Sequence, residues 1–291
     1  MKVEACPFNL EATLCCAQVF RWDKRGVGWY GVVGDHPFKV RQTNSQLEFQ
    51  NVDETFVSRY FSLDHDLQQI SSEIGKDVHI REALREFWGL RIIRQDPWEC
   101  LISFICATYK SVAAIKQMLL KLSMKFGKKI SFENCEFYTF PTPEKLANAN
   151  LKDLESCGLG YRAKYIQETS KKVHSNEYDL EVLSEMQYEP AKETLLQLPG
   201  VGSKVADCIL LFSMDKLDAF PVDVWVKRIL VKYYSENFPD IFVRKLASRK
   251  SFSDADYEKL NGFGRRHFGK FAGYAQEYLY HYERLNCQKL K

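Results

Sequence analysis

The sequence predicts an α+β protein, in which an N-terminal antiparallel β-sheet domain over residues 1–80 precedes a mostly α-helical region over residues 81–291. Two observations favour this class. Apolar and polar residues alternate between residues 28 and 49, which is typical of half-buried strands. After residue 95, apolar residues recur at helical spacing behind residues that cap helices well. With 291 residues and 45% hydrophobic content, the chain can bury a large core.

The strands are predicted by two short segments, residues 28–33 and 37–41, which are rich in aromatic and β-branched residues. Within the second segment, Phe38 and Val40 alternate with charged neighbours. Turn-forming residues follow at 43–45, and the alternation then resumes. We therefore expect a small antiparallel sheet that is complete before about residue 80.

The helices are predicted by their start and stop signals. Asp96 precedes Pro97, and proline is favoured at the first position of a helix. Ser111 precedes an apolar stripe that Gly127 is expected to end. Asp223 is well placed to cap a later helix. Further helix starts are expected after two capping residues, Thr142 and Asn150.

A helix, a tight glycine turn and a second helix are predicted over residues 192–214. Gly200 and Gly202 allow backbone N–H groups to approach a phosphate, with a helix N-terminus behind them. Lys204 lies in the first turn of the second helix, where the positive end of the helix dipole disfavours an ammonium. With Asp223 close behind in the sequence, this layout predicts a clamp on DNA beside a nucleophilic lysine.

Composition limits the partners and the location only weakly. The net charge of +3 does not by itself indicate a DNA-binding protein, although a groove with few phosphate contacts is compatible with it. The nine cysteines include no CxxC pair, which favours free thiols in a reducing compartment. No apolar run is long enough to span a membrane, and no targeting segment is recognisable. We expect a cytoplasmic protein, associated with the nucleoid in a prokaryote.

Five blocks in this chain resemble the helix-hairpin-helix (HhH-GPD) superfamily of DNA glycosylases, and within it the 8-oxoguanine DNA glycosylases. They occur in the family's order and span nearly the whole chain: QVFRW at 18–22, DPWECLISFIC at 96–106, GLGYRA at 158–163, LPGVGSKVADC at 198–208 and FAGYAQ at 271–276. The resemblance implies an active-site cleft between helical subdomains. It also implies a monomer that binds double-stranded DNA containing 8-oxoguanine.

The resemblance implies a bifunctional glycosylase and abasic-site lyase. Lys204 would attack C1′ of the damaged nucleoside, expel the base and form a Schiff base, and β-elimination would then nick the strand. Asp223 would steer the lysine proton and stabilise the cationic sugar, besides capping its helix. Asp207 is the rival carboxylate, and we interpret it as structural.

The resemblance also implies a pocket for the flipped base. Ala17 stands where the family usually has glycine, whose carbonyl accepts the N7–H that distinguishes 8-oxoguanine from guanine. Gln276 would read the Watson–Crick edge, and Cys208 and Tyr280 would sandwich the base. Glycine readily adopts backbone dihedral angles that are costly for alanine. The contact therefore depends on the backbone conformation of Ala17.

The resemblance also implies which residues fill the gap left by the flipped base and which contact the partner base. Tyr161 matches the wedge, and Arg162 would hold the orphaned partner base. Tyr109 and Ala114 stand where the mammalian pattern has an asparagine and a second arginine. Relaxed discrimination of the opposite base follows as a hypothesis.

No cofactor is expected. Endonuclease-III-like relatives carry a four-cysteine iron–sulfur cluster, whereas only Cys287 follows Cys208 in this chain. A structural monovalent cation is the one ion that the resemblance implies, held by the backbone carbonyls of Leu196, Leu198 and Val201.

Two alternatives remain open at this stage. One is a glycosylase of the same fold that acts on alkylated bases, although those relatives need no lysine at the position of Lys204. The other is a non-catalytic helix-hairpin-helix module that only grips double-stranded DNA. A phosphate grip needs neither the pair formed by Lys204 and Asp223 nor Gln276.

Overall fold

The computed structural model describes residues 1–249 and 251–289, and it contains the expected antiparallel sheet and helical region. Five strands pair in the order β1-β5-β4-β3-β2, and every pairing is antiparallel. The strands are β1 (Lys2–Glu4), β2 (Trp22–Arg25), β3 (Gly28–Val33), β4 (His36–Thr43) and β5 (Gln46–Gln50). The predicted fold class is thereby confirmed.

The alternation in the sequence sets which face of the sheet is buried. Trp29 lies opposite Val40, and Val40 lies opposite Phe49, so that three buried side chains cross the sheet on one face. Trp22 in β2 pairs with Gly31, where an added Cβ would lie 2.5 Å from the indole ring. Glycine is required there because the tryptophan occupies the space of a side chain.

The helices of the first half surround the sheet and begin the helical region. They are α1 (Leu10–Cys15), α2 (Glu54–Tyr60), α3 (Leu67–Ile74), α4 (Val78–Glu86), α5 (Pro97–Ala107), α6 (Val112–Phe126), α7 (Pro143–Ala147), α8 (Leu151–Leu154) and α9 (Arg162–His174). A short hairpin, β6 (Lys129–Phe132) and β7 (Cys135–Tyr138), interrupts them, and the sequence analysis missed it.

The remaining helices carry most of the site. They are α10 (Leu180–Glu185), α11 (Tyr188–Leu195), α12 (Ser203–Ser213), α13 (Val224–Tyr233), α14 (Asp240–Ser248), α15 (Asp254–Phe268) and α16 (Ala272–Lys289). Among the described residues, no helix is both long and apolar enough to cross a membrane.

The predicted capping residues begin the helices as expected. The Asp96 side chain accepts the Glu99 N–H at 2.8 Å, and the Ser111 hydroxyl accepts the Ala114 N–H at 3.3 Å. Gly127 ends α6, and Thr142 and Asn150 cap α7 and α8. These contacts satisfy backbone groups that a helix end leaves unpaired.

The buried apolar side chains form two clusters. The smaller lies under the sheet and draws on residues 5–61 together with Ile93. The larger contains most of the helical region and also Ala12, Cys16 and Phe20 from the N-terminal part. The N-terminal segment therefore contributes to both cores, and the division of the chain at residue 80 stays a prediction.

Candidate active site

The predicted hairpin is formed by α11, a tight turn and α12. Gly200 has a φ of +81°, and an added Cβ would lie 3.0 Å from the Cβ of Tyr165. Gly202 is the exposed N-cap of α12, and no side chain accepts a hydrogen bond from the first turn. The leading N–H groups of α12 are thus available to an external anion such as a DNA phosphate.

Lys204 is half-buried in the first turn of α12, directly behind these N–H groups. Its ammonium lies 4.8 Å from the centre of the Phe104 ring, which is in turn stacked on Phe212. The positive charge of Lys204 also acts on the Cys208 thiol, one turn further along the helix. Burial raises the pKa of that thiol to about 12 in spite of the nearby ammonium, so that Cys208 is a neutral neighbour.

Asp223 caps α13, as predicted. Its carboxylate accepts the N–H groups of Trp225 and Val226 at 2.8 Å each. Burial raises the pKa of the Asp223 carboxyl, whereas these two hydrogen bonds and the positive charge of Lys204 oppose that shift. The backbone donors and the lysine therefore stabilise the ionised form at a site that would otherwise favour the neutral acid.

Asp207 is fully buried one residue before Cys208, and the protein itself satisfies it. Both oxygens receive donors: the hydroxyls of Tyr188 and Tyr257, the Asn261 amide at 2.9 Å and the Lys192 ammonium at 3.3 Å. This network joins α11, α12 and α15 under the hairpin. It supports the interpretation of Asp207 as structural, because the carboxylate is fully buried and each of its oxygens has a partner within the protein.

Ala17 lies in the left-handed region, with a φ of +69°. That conformation is easy for glycine and costly for alanine, so the structure keeps here the dihedral for which the family's glycine is suited. Gln18, the next residue, is held by three hydrogen bonds of its side-chain amide. The amide nitrogen donates to the Thr13 carbonyl at 2.9 Å and to the Arg91 carbonyl at 2.8 Å. The amide oxygen accepts the Ile93 N–H at 2.8 Å. The sequence analysis missed this anchoring role, although Gln18 begins one of the quoted blocks.

The wall formed by α16 contains Gln276 and Tyr280. Gln276 is 5% exposed, and its carbonyl oxygen has no hydrogen-bond partner among the residues that the structure describes. Tyr280 is half-buried. Burial raises the pKa of the Tyr280 hydroxyl, and the negative charge of Asp223 adds to that shift. Glu277, which the sequence analysis missed, is also buried, and its carboxyl interacts electrostatically with Lys204. These contacts bring the predicted pocket residues of α16 next to the predicted catalytic pair.

The wedge and opposite-base residues lie in two adjoining segments, one between α5 and the start of α6 and one at the start of α9. Tyr161 is 58% exposed and Tyr109 is 86% exposed, with a φ of +53° at Tyr109. Arg162 is buried instead: it donates to the carbonyls of Leu159 and Thr108, and its guanidinium carbon lies 4.4 Å from the centre of the Tyr161 ring. Without DNA the guanidinium is turned toward these two carbonyls, and the role of Arg162 at the partner base stays a prediction.

The nine cysteines are free thiols. In the part of the chain that the structure describes, no three His, Cys, Asp or Glu side chains are grouped as a metal site.

Comparisons with known proteins agree with this geometry. The family model "8-oxoguanine DNA glycosylase, N-terminal domain" matches residues 1–101, and "HhH-GPD superfamily base excision DNA repair protein" matches residues 102–261. A "Probable N-glycosylase/DNA lyase" of Methanothermobacter thermautotrophicus is 34% identical over 77% of this chain and 72% of its own length. An "N-glycosylase/DNA lyase" of Saccharomyces cerevisiae is 32% identical over 82% of this chain and 71% of its own length.

Solved structures are similar over almost the whole length. The apo form of the Clostridium acetobutylicum 8-oxoguanine glycosylase/lyase has a TM-score of 0.85 and 34% identity, and the match covers 96% of this chain and 94% of that one. Its complex with double-stranded DNA containing cytosine opposite 8-oxoguanine has a TM-score of 0.87 and 33% identity, over 98% and 94% of the two chains. The chain therefore belongs to the 8-oxoguanine DNA glycosylases of the HhH-GPD superfamily of base excision DNA repair proteins.

Proposed function

We propose that this protein excises 8-oxoguanine from duplex DNA and nicks the resulting abasic strand through a covalent bond to Lys204. One observation carries the proposal. Lys204 lies directly behind the uncapped N-terminus of α12, and Asp223, whose carboxylate accepts two backbone N–H groups, lies within electrostatic reach of it. This arrangement combines a phosphate grip, an amine nucleophile and a carboxylate in one place.

In the first step, the neutral Lys204 amine attacks C1′ of the damaged nucleoside. The bond from C1′ to the base breaks, and the base leaves with the electron pair and takes up a proton. The attacking nitrogen loses a proton, the sugar ring opens with protonation of its oxygen, and a Schiff base results. Asp223 stabilises the positive charge that develops on the sugar, and it accepts or steers the lysine proton.

In the second step, the Schiff base acidifies the neighbouring C2′ position. A base removes a proton from C2′, and the bond from C3′ to the phosphate oxygen breaks with the electron pair leaving on the phosphate. Hydrolysis of the remaining imine then frees Lys204. Because the nucleophile and its carboxylate belong to the protein, we propose that the reaction needs no redox or metal cofactor.

Substrate recognition in this proposal requires the base to leave the stack. The Ala17 carbonyl would accept the N7–H of 8-oxoguanine, and the unpartnered Gln276 oxygen would accept donors on the Watson–Crick edge. Cys208 and Tyr280 would lie on the two faces of the base. Gly200 and Gly202 shape the turn that grips the phosphate, and Tyr161 would fill the vacated space.

A structural monovalent cation at the hairpin stays part of the proposal. The backbone carbonyls of Leu196, Leu198 and Val201 are oxygen donors of the kind that hard cations prefer. The Leu198 carbonyl accepts the Val201 N–H at 3.1 Å and keeps a second lone pair, so the donor set fits such an ion. A bound cation would supply positive charge facing a phosphate. We also propose that the protein acts as a monomer and that it works in the cytoplasm, at the nucleoid in a prokaryote.

The two other functions considered from the sequence are less well supported. A 3-methyladenine DNA-glycosylase of Archaeoglobus fulgidus has a TM-score of 0.75 at 22% identity, which is a likeness of fold alone. A module that only grips DNA has no use for Lys204 within electrostatic reach of Asp223.

Borohydride trapping tests all three functions together. Wild-type protein is incubated with a duplex containing a single 8-oxoguanine and then reduced, and we expect a covalent adduct and released base. Lys204→Gln should form no adduct but still bind the duplex, because the N–H groups of the hairpin supply the grip. Lys171→Gln, an exposed lysine on α9, is the matched control and should behave as wild type. An adduct at wild-type yield with Lys204→Gln would contradict the assignment.

A further inference from the structure

The starting point is the strained backbone at Ala17. A left-handed φ at a non-glycine residue persists only where the surrounding structure enforces it. The φ of +69° at Ala17 is therefore a cost that other contacts must offset. Gln18 is held by its own amide, and before Ala17 the Cys16 N–H donates to the Ala12 carbonyl at 3.1 Å, while the Cys15 carbonyl at the end of α1 takes a further restraint.

That restraint comes from the last helix. The Arg284 guanidinium donates to the Cys15 carbonyl at 3.3 Å. On the same face of α16, the buried Glu277 carboxyl acts on the buried Cys16 thiol, whose pKa is raised by burial and by the negative charge of Glu277. Arg284 and Glu277 are separated by two helical turns on α16, so they reach the loop from the same side.

The same helix carries Gln276 and Tyr280 into the pocket. Arg284 also approaches the Tyr280 hydroxyl at 3.5 Å, and it forms no ion pair among the described residues. Its donors are thus directed at the loop and at the pocket wall rather than at an acidic partner. The contact ties the Ala17 loop to the helix that reads the other edge of the base.

We propose that Arg284, assisted by Glu277, is a positioning residue that holds Cys15 and Cys16 so that Ala17 keeps its left-handed backbone and presents its carbonyl to the damaged base. Glycine would adopt this conformation without help. The inference rests on the proposed function, since it concerns the carbonyl that recognises 8-oxoguanine. Under this proposal, the left-handed backbone of Ala17 depends on the contact made by Arg284.

The test is whether glycine at residue 17 removes that dependence. Arg284→Met keeps the packing of the side-chain stem and loses the donors. We expect its single-turnover excision of 8-oxoguanine to fall by roughly ten-fold, the scale of a left-handed backbone penalty. Ala17→Gly alone gives the reference rate for a residue 17 that adopts the left-handed conformation without help. The double variant Ala17→Gly/Arg284→Met should fall within roughly three-fold of that reference.

Two further variants separate positioning from a general structural effect. Arg85→Met, at an exposed arginine on α4 outside the site, is the matched control and should not reproduce the loss. Arg284→Lys keeps one charged donor and should retain much of the rate. If Arg284→Met proves insoluble, Arg284→Gln replaces it in both backgrounds.

Wild-type rate in Arg284→Met, or a double variant as slow as Arg284→Met alone, would overturn the proposal. A wild type that releases no 8-oxoguanine contradicts the proposed function instead, so the two failures are distinguishable.

Discussion

The Asp223 carboxylate accepts the Val226 N–H at 2.8 Å, and so it closes the first turn of α13 while its charge acts on Lys204. One side chain therefore serves a helix end and a reaction centre. The backbone donors hold the carboxylate in place, and together with the charge of Lys204 they oppose the rise in its pKa that desolvation causes.

Asp223→Asn separates these two roles. Asparagine caps helices about as well as aspartate, so the free energy of unfolding should change by less than about 1 kcal/mol. The charge that stabilises the sugar is lost, and we expect the single-turnover excision rate to fall roughly 100- to 1,000-fold. Asp179→Asn is the matched control, since Asp179 caps α10 with the same two-bond pattern. An unchanged rate in Asp223→Asn would mean that the residue is only a cap.

Gln276→Ala tests the base pocket. The variant removes a buried amide and leaves the donors of the flipped base without their acceptor, which costs about 1–3 kcal/mol. We expect excision of 8-oxoguanine at limiting enzyme to fall by roughly 10- to 100-fold, with a smaller change in binding to undamaged duplex. Gln50→Ala, an exposed glutamine at the end of β5, is the control. Excision by Gln276→Ala at the wild-type rate would place the pocket elsewhere.

Much of the fold was predictable because its signals are local. Asp96, Ser111 and Asp223 cap helices through contacts within three residues, and a sequence displays such contacts directly. The strands β1 and β2 were missed because they are short, and β1 pairs with β5, more than forty residues away. Pairing over that distance depends on the tertiary fold.

Some residues of the site could be predicted from the sequence, and others could not. The resemblance pointed to Lys204 and Ala17. The structure has the hairpin immediately before Lys204 and a left-handed backbone at Ala17. The direction of Arg162 was not predictable, because it depends on the Thr108 carbonyl of another loop. Glu277 carried no signal either, since a glutamate in a helix is usually exposed.

Glu277 should make the stability of the protein depend on pH. Burial raises the pKa of its carboxyl to about 7, above the ordinary value of 4.5. Because the folded state binds the proton more tightly, this contribution to stability is complete below pH 4.5 and is lost as the pH rises through about 7. The full loss is on the order of 3 kcal/mol.

Urea unfolding of wild type and Glu277→Gln at pH 5 and pH 8 provides the measurement. The neutral glutamine cannot ionise, so the variant should lose less stability than wild type between these two values. Glu236→Gln, an exposed glutamate outside the core, should follow the wild-type profile. Parallel profiles for wild type and Glu277→Gln would show that the carboxyl is already ionised at pH 5 in the folded protein.

Discrimination of the opposite base should be weak. A bidentate arginine contact distinguishes a base by about 1–3 kcal/mol, which is roughly 10- to 100-fold. In this structure Arg162 is engaged with the Thr108 carbonyl, and Ala114 has no donor side chain. Tyr109, which is 86% exposed, has a ring and a hydroxyl that tolerate several bases. We therefore expect 8-oxoguanine to be removed opposite adenine, guanine or thymine nearly as fast as opposite cytosine.

Single-turnover rates on the four duplexes measure this, and Ala114→Arg should restore part of a preference for cytosine. Ala113→Arg, one position away on the exposed side of α6, is the matched control and should leave the four rates in their wild-type ratio. A wild-type preference for cytosine of roughly 100-fold, the scale of one bidentate contact, would contradict the argument. It would mean that Arg162 leaves the Thr108 carbonyl when DNA binds, and that this arginine and Tyr109 together suffice to read the partner base.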